Sequence, residues 1–275
     1  MAKRKDDSSQ PVPMTSSRPP KLPRKQAELF ADVLRTLDEF HVPYAVSGSF
    51  AMRQHTGICR DTKDLDIFLP VKNVAIALQH LSDRGMECEV CDPIWLAKAH
   101  CDGYFVDLIT GMSNGVIAVD NPWVERAHPA LVLGVETRVL APEELIASKL
   151  FVVRRERFDG ADIAHLIYAS RGNLNWARII QLVGEHWEMM LWALMLFRYV
   201  YPGQTDYVPR AIWCDLLGRL QHAITSPNPV EKFRGSLVDD RMFAIDVNEW
   251  GLPDLLRESR ARSTPIPAEV ADRCA

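Results

Sequence analysis

The stretch Ser47–Pro70, SGSFAMRQHTGICRDTKDLDIFLP, sets two aspartates, Asp64 and Asp66, at the head of an apolar run. A small-residue pair, Gly48-Ser49, stands upstream of them. In an extended strand side chains alternate, so Asp64 and Asp66 share one face while Leu65, Ile67 and Leu69 share the other. The apolar face suits a core. The acidic face brings two like charges together, which is unfavourable unless a cation lies between them. Hard oxygen ligands of this kind suit Mg²⁺, usually held by one or two carboxylates plus substrate phosphates.

The flanking residues extend the pattern. HVPYAVSG reads as a short strand ending at Gly48, and SFAMRQHTG as a helix opening at that turn. Glycine lets backbone approach a ligand, and a helix N-terminus offers free N–H groups to phosphate. Ser49 adds a hydroxyl. Further on, GYFVDLIT is an apolar strand interrupted by Asp107, where an unpaired charge would be costly. If this strand neighbours LDIFL, Asp107 joins the first two, and three aspartates can hold two metals for in-line phosphoryl displacement. Singly, each aspartate has a structural reading: Asp64 ends a loop or pairs with Lys63, and Asp107 meets arginine or backbone donors. The glycine-serine turn followed by Asp-x-Asp shifts the balance towards a nucleoside triphosphate site.

Composition bounds the rest. The chain has 275 residues, 47% hydrophobic and 25% charged, as in globular proteins generally. Residues 1–26 carry seven Lys or Arg against two Asp, leaving −9 on the rest of a chain with net charge −4. That acidic body argues against a broad nucleic-acid surface. Three regions are expected. Residues 1–26, rich in Pro, Ser and charge, read as a disordered basic tail. Residues 27–140 alternate short strands and helices, with a helix in AELFADVLRTLDEF, a helix ending at Gly85, strands either side of Asp102-Gly103, and a strand in TRVLA. Residues 141–275 read as mainly helical. The fold class is mixed α/β (α+β): a small mixed sheet flanked by helices, then a mainly helical C-terminal part.

No hydrophobic segment follows the start, so a cytoplasmic location is expected. The most apolar stretch, Met189–Tyr201, contains Arg198 and is short for a membrane span, so it reads as a buried helix. Six cysteines are too sparse for a disulfide scaffold. Cys88 and Cys91 with His100 and Cys101 raise a zinc site, but two thiols at that spacing in a strand point to opposite faces, and small buried core residues are the alternative.

The residues VSGSF and DLDIFL resemble the signature of the DNA polymerase β-like nucleotidyltransferase superfamily. That signature is an apolar strand, Gly, Gly or Ser, a spacer, Asp-x-Asp, and a third Asp on a later strand. Val46, Gly48, Ser49, Asp64, Asp66 and Asp107 fit it; the fourteen-residue spacer Phe50–Lys63 is slightly long. A closer resemblance is to the abortive-infection nucleotidyltransferase toxins of the AbiEii type, which often show Arg-x-Thr-x-Asp-x-Asp, here Arg60 to Asp66. They follow the sheet with a helix carrying a lysine and then an aspartate, here Lys149 and Asp162, with Asp159 the competing choice.

The resemblance implies a nucleotidyltransferase fold and transfer of a nucleoside monophosphate from an NTP to an acceptor hydroxyl, releasing pyrophosphate. It implies metal binding by Asp64, Asp66 and Asp107 (two Mg²⁺ ions), nucleotide binding by Gly48, Ser49, Arg60 and Lys149, and a catalytic part for Lys149 and Asp162. Lys149 could equally snorkel, its stem on apolar surface and its head in water. Arg154, Arg155 and Arg157 read either as a phosphate or acceptor contact or as a solvated helix end. The acceptor is left open among RNA (a tRNA 3′ end), a small alcohol and a protein hydroxyl, and a cognate antitoxin is a further implied partner. A degenerate transferase fold that only binds nucleotide is the alternative function.

Overall fold

The computed structural model describes residues 22–228 and 232–273. Helix α1 (Arg24–Glu39) starts directly after Pro23 and buries Phe30, Val33, Leu34 and Leu37 along one stripe. Residues 24–26, expected in the tail, instead form its first turn. Gln26 is buried, and its Nε2 donates to the Thr62 carbonyl at 3.2 Å. The expectation for residues 1–21 falls outside the described residues.

Along the chain follow β1 (Ala45–Val46), α2 (Gly48–Thr56), β2 (Asp64–Phe68), α3 (Val74–Asp83), β3 (Glu87–Asp92), β4 (Leu96–Cys101), β5 (Tyr104–Ile109), α4 (Asn121–Glu125), β6 (His128–Val132) and β7 (Val135–Val139). The strands form one mixed sheet in the order β3-β4-β5-β2-β1-β7-β6. β2 runs parallel to β5, and β1 parallel to β7; the other neighbours are antiparallel. β4 and β5 turn at Asp102 (φ 52°) and Gly103 (φ 80°), the two left-handed residues that a tight hairpin of matching twist requires. That turn fixes the register, with Cys101 opposite Tyr104 and Lys98 opposite Asp107. β6 escapes the sequence reading because Pro129 interrupts it. It lies at the sheet edge, where a missing N–H does no harm.

After β7 the chain is mainly helical: α5 (Pro142–Lys149), α6 (Gly160–Ser170), α7 (Trp176–Val183), α8 (Trp187–Val200) and α9 (Arg210–Thr225), with the short α10 (Gly235–Val238), α11 (Ala244–Asn248), α12 (Leu255–Arg262) and α13 (Ala268–Arg273) beyond. The helical spacing expected through residues 142–170 is broken by a small hairpin, β8 (Val153–Arg154) with β9 (Arg157–Phe158). Arg154 and Arg157 therefore sit on paired strands, and the helix-end reading of this cluster is corrected. α8 is buried on one face only. Met190, Leu194 and Phe197 face the core, while Trp192 and Tyr199 stand exposed. Among the described residues no helix is long and apolar enough to cross a membrane.

Three helices are tied together by a buried carboxylate. Glu144 of α5 is fully enclosed, and its Oε1 accepts from Arg126 Nε at 3.2 Å and Arg178 Nε at 2.9 Å. It links the end of α4 to α7. Removing one partner of a buried pair leaves uncompensated charge. Glu144→Ala is expected to destabilise the protein by about 3 kcal/mol or more, read as a lowered urea midpoint.

Candidate active site

Two strand pairings converge on Asp66. On one side β1 pairs antiparallel with β2, and Ser47 N–H donates to the Asp66 carbonyl at 2.9 Å. The next residue, Gly48, has φ +55° and opens α2. A Cβ there would lie 1.8 Å from Asp66 Oδ2, so only glycine permits both the conformation and the approach. On the other side β5 pairs in parallel with β2, placing Asp107 directly beside Asp66. Asp64, Asp66 and Asp107 each offer a carboxylate oxygen within 4.8 Å of the others, and among the described residues this is the one such cluster of potential metal ligands. Beneath it Leu65 and Ile67 are fully buried, the alternation expected of the strand.

This crowding has electrostatic consequences. Burial, then the charges of Asp64 and Asp107, push the Asp66 carboxyl up to about 7, against the opposing pull of Arg157 and Lys149. Asp107 is also raised, chiefly by burial, although Lys98 draws it down. Lys98 Nζ lies 2.9 Å from Asp107 Oδ1 and 4.1 Å from the centre of the Phe105 ring. Asp64 accepts a hydrogen bond from Thr62 Oγ1 at 2.9 Å and makes no ion pair with Lys63 among the described residues. Three convergent carboxylates, one held partly protonated, form a donor set that fits a hard divalent cation.

A second charged cluster stands behind the first. Lys149 at the end of α5 is 6% exposed, which removes the snorkelling reading. Its Nζ meets Asp159 Oδ2 at 2.7 Å and Asp162 Oδ2 at 2.9 Å. Both candidate aspartates therefore bind the lysine. Arg157 forks onto Asp159 with two bonds of 3.1 Å, and Arg60 pairs with Asp162. Burial works to raise Asp159, but the Arg157 and Lys149 bonds outweigh it and hold the carboxyl below its usual range.

Between the clusters lies a cavity of about 260 Å³. Gly48, Asp66, Lys149, Arg157 and Asp159 line its charged end, and Trp95, Met112 and Leu237 its apolar end. Of the three carboxylates only Asp66 lines it; Asp64 and Asp107, like Ser49, Arg60 and Asp162, do not. The sequence reading missed Lys98 and Trp95. Lys98 was within reach: a two-residue turn at Asp102-Gly103 puts it opposite Asp107. Cys88 is buried and Cys91 exposed on alternate faces of β3; neither enters a metal-ligand cluster among the described residues.

The family model described as "Nucleotidyl transferase of unknown function (DUF2204)" matches residues 26–190, more than half of the chain. This match defines the class of the protein as a nucleotidyltransferase. The chain belongs to this family, in agreement with the superfamily that its Gly-Ser and Asp-x-Asp residues resemble. No curated protein matches it. Among solved structures, it is similar to the solution structure of the antibiotic-resistance factor ANT(2'')-Ia, with TM-score 0.41 and 15% identity, covering 72% of this chain and 98% of that one. A nucleotidyltransferase-like protein from Paracoccidioides brasiliensis gives TM-score 0.42 and 17% identity, over 68% of this chain and 93% of its own. The lincosamide antibiotic adenylyltransferase LnuA gives 0.38 and 16%, over 53% and 96%.

The raised Asp66 value makes a testable link to stability. Its folded value of about 7 lies above the ordinary 3.8, so the folded protein holds this proton more tightly. The stabilisation is complete below about pH 3.8 and is lost as pH rises through about 7. In EDTA at about pH 8, Asp66→Asn is expected to melt a few degrees above the parent, with the gap closing towards about pH 5. Added Mg²⁺ is expected to raise the parent's melting temperature more than the variant's.

Proposed function

We propose that this protein transfers a nucleoside monophosphate from an NTP to an acceptor hydroxyl in a Mg²⁺-dependent reaction. The observation that carries the reading is the convergence of Asp64, Asp66 and Asp107 within 4.8 Å, with Gly48 against Asp66. Asp64 and Asp66 would hold Mg²⁺ on the triphosphate, and Asp107 would complete a second position with them. Asp107 Oδ1, held by the Lys98 ammonium, would have to be shared with a second ion there. Bound Mg²⁺ would supply charge neutralisation at the phosphates and would acidify the acceptor hydroxyl.

The chain's own groups do the rest. The Gly48-Ser49 turn at the start of α2 directs backbone N–H groups at the β- and γ-phosphates. Lys149 and Arg157, whose fields already act on Asp66, supply positive potential at the charged end of the cavity. Asp159 and Asp162 fix Lys149, and Arg60 steadies Asp162, so Arg60 acts at one remove from the nucleotide. Asp107 takes the proton from the acceptor hydroxyl as its oxygen attacks the α-phosphorus. The bond to the bridging oxygen breaks, and pyrophosphate leaves with that electron pair. Catalysis of this kind is mostly positioning and electrostatics.

The AbiEii-type resemblance of Arg60 to Asp66 supports an RNA acceptor, such as a tRNA 3′ end, and a cognate antitoxin. The acidic body, −9 beyond residue 26, favours a local contact over a broad one. The test uses each α-labelled NTP, Mg²⁺, and separate pools of tRNA, protein and small alcohols. Label is expected to move to one pool with the parent. Asp66→Asn is expected to lose at least about 10²-fold. Gly48→Ala is expected to lose about 10²-fold through displacement of Asp66. No transfer to any pool by the folded parent would overturn the proposal.

A further inference from the structure

We propose that the C-terminal segment from Gly235 to Ile266 is the outer wall of the nucleotide pocket, with Arg260 as the positioning residue that sets it. The inference rests on the nucleotide reading given above. It concerns residues beyond 190, where the family match ends.

The cavity has two unlike ends. Gly48, Asp66, Lys149 and Arg157 make a charged end suited to a triphosphate. Trp95, Met112, Ser113, Asn114 and Leu237, themselves uncharged, give an indole and aliphatic surface suited to a nucleobase, beside Arg154, which also lines the cavity. The turns that carry Trp95, Ser113 and Asn114 are held from the C-terminal segment. Arg260 NH2 meets Asp92 Oδ1 at 2.8 Å and Oδ2 at 2.9 Å, while its NH1 donates to the Ser113 carbonyl at 2.6 Å. One guanidinium thus ties the turn that presents Trp95 to the turn that presents Ser113 and Asn114. Ile266 N–H donates to the Pro93 carbonyl at 2.6 Å. Asn114, itself buried, donates from Nδ2 to the Leu237 carbonyl at 3.0 Å. Leu237 is both held there and a lining residue.

The same segment reaches the charged end. Asp239 Oδ2 accepts from the Arg155 N–H at 3.2 Å, at the turn of the β8–β9 hairpin that carries Arg154 and Arg157. Arg154 NH2 in turn donates to Ser113 Oγ at 3.0 Å. Asp239 thus braces the charged end by a contact separate from those of Arg260, which hold the other end. Arg260, partly buried, sets one terminal nitrogen on both Asp92 oxygens and the other on the Ser113 carbonyl, a planar two-point span that a lysine, which keeps the charge, does not reproduce.

The experiment compares the parent, Arg260→Ala, Arg260→Lys and Asp92→Asn in full-length protein. Arg260→Ala is expected to raise KM for the NTP about 10-fold, with kcat at saturating NTP within about 3-fold. Inhibition by inorganic tripolyphosphate, which needs only the charged end, is expected to stay within about 2-fold of the parent. Arg260→Lys restores part of the KM, and Asp92→Asn, which keeps the shape, moves KM in the same direction should Arg260→Ala fail to fold. An unchanged KM, or tripolyphosphate inhibition lost as far as NTP affinity, would overturn the inference. If the parent transfers no label, the transfer reading fails by itself. The wall is then judged by titration calorimetry: equal NTP affinity in parent and Arg260→Ala sinks it, and weaker NTP with unchanged tripolyphosphate binding upholds it.

Discussion

The structure depends on Asp66 being held from both sides by backbone. Ser47 N–H fixes its carbonyl from β1, and the parallel ladder of β2 with β5 fixes Asp107 beside it. Three carboxylates left to themselves would separate. They stay together because their strands are central in a seven-stranded sheet, with Leu65, Ile67, Val106 and Leu108 fully buried on its opposite face. Slipping the register by one residue would turn Asp66 into the core and Leu65 into the site, so the apolar alternation that stabilises the sheet also sets the acidic face.

The remaining charges answer that concentration of negative potential. Lys98 sits against Asp107 from the neighbouring strand, and Lys149 and Arg157 act on Asp66 from the helical side. Lys149 is too deeply placed to be left unpaired, so Asp159 and Asp162 enclose it, and Arg157 and Arg60 complete the alternation of signs. The result is a site that is fixed in geometry yet short of positive charge at its carboxylate edge. In the proposed function a divalent cation, bound together with a polyphosphate, would supply that charge.

The chain's sheet half was largely legible. Alternation in DLDIF, the Asp102-Gly103 turn and the Gly48 turn gave β2, the β4–β5 hairpin and the start of α2, because each rests on local chemistry. The β8–β9 hairpin and β6 were missed, since two-residue strands have no period to read and Pro129 disguises an edge strand. The C-terminal segment was illegible for a similar reason. Its short helices have little pattern of their own and are placed by contacts such as Arg260 on Asp92, 168 residues apart in the chain.

The amino-acid order alone determined which aspartates share a face and where a glycine turn opens a helix. Side-chain alternation and left-handed turns are properties of a few consecutive residues. Only the tertiary structure decided that β5 lies beside β2, that Lys149 is enclosed by two carboxylates, and that Leu237 lines the cavity. Those are matters of long-range pairing and burial, and the contacts that settle them do not exist until the whole core has closed.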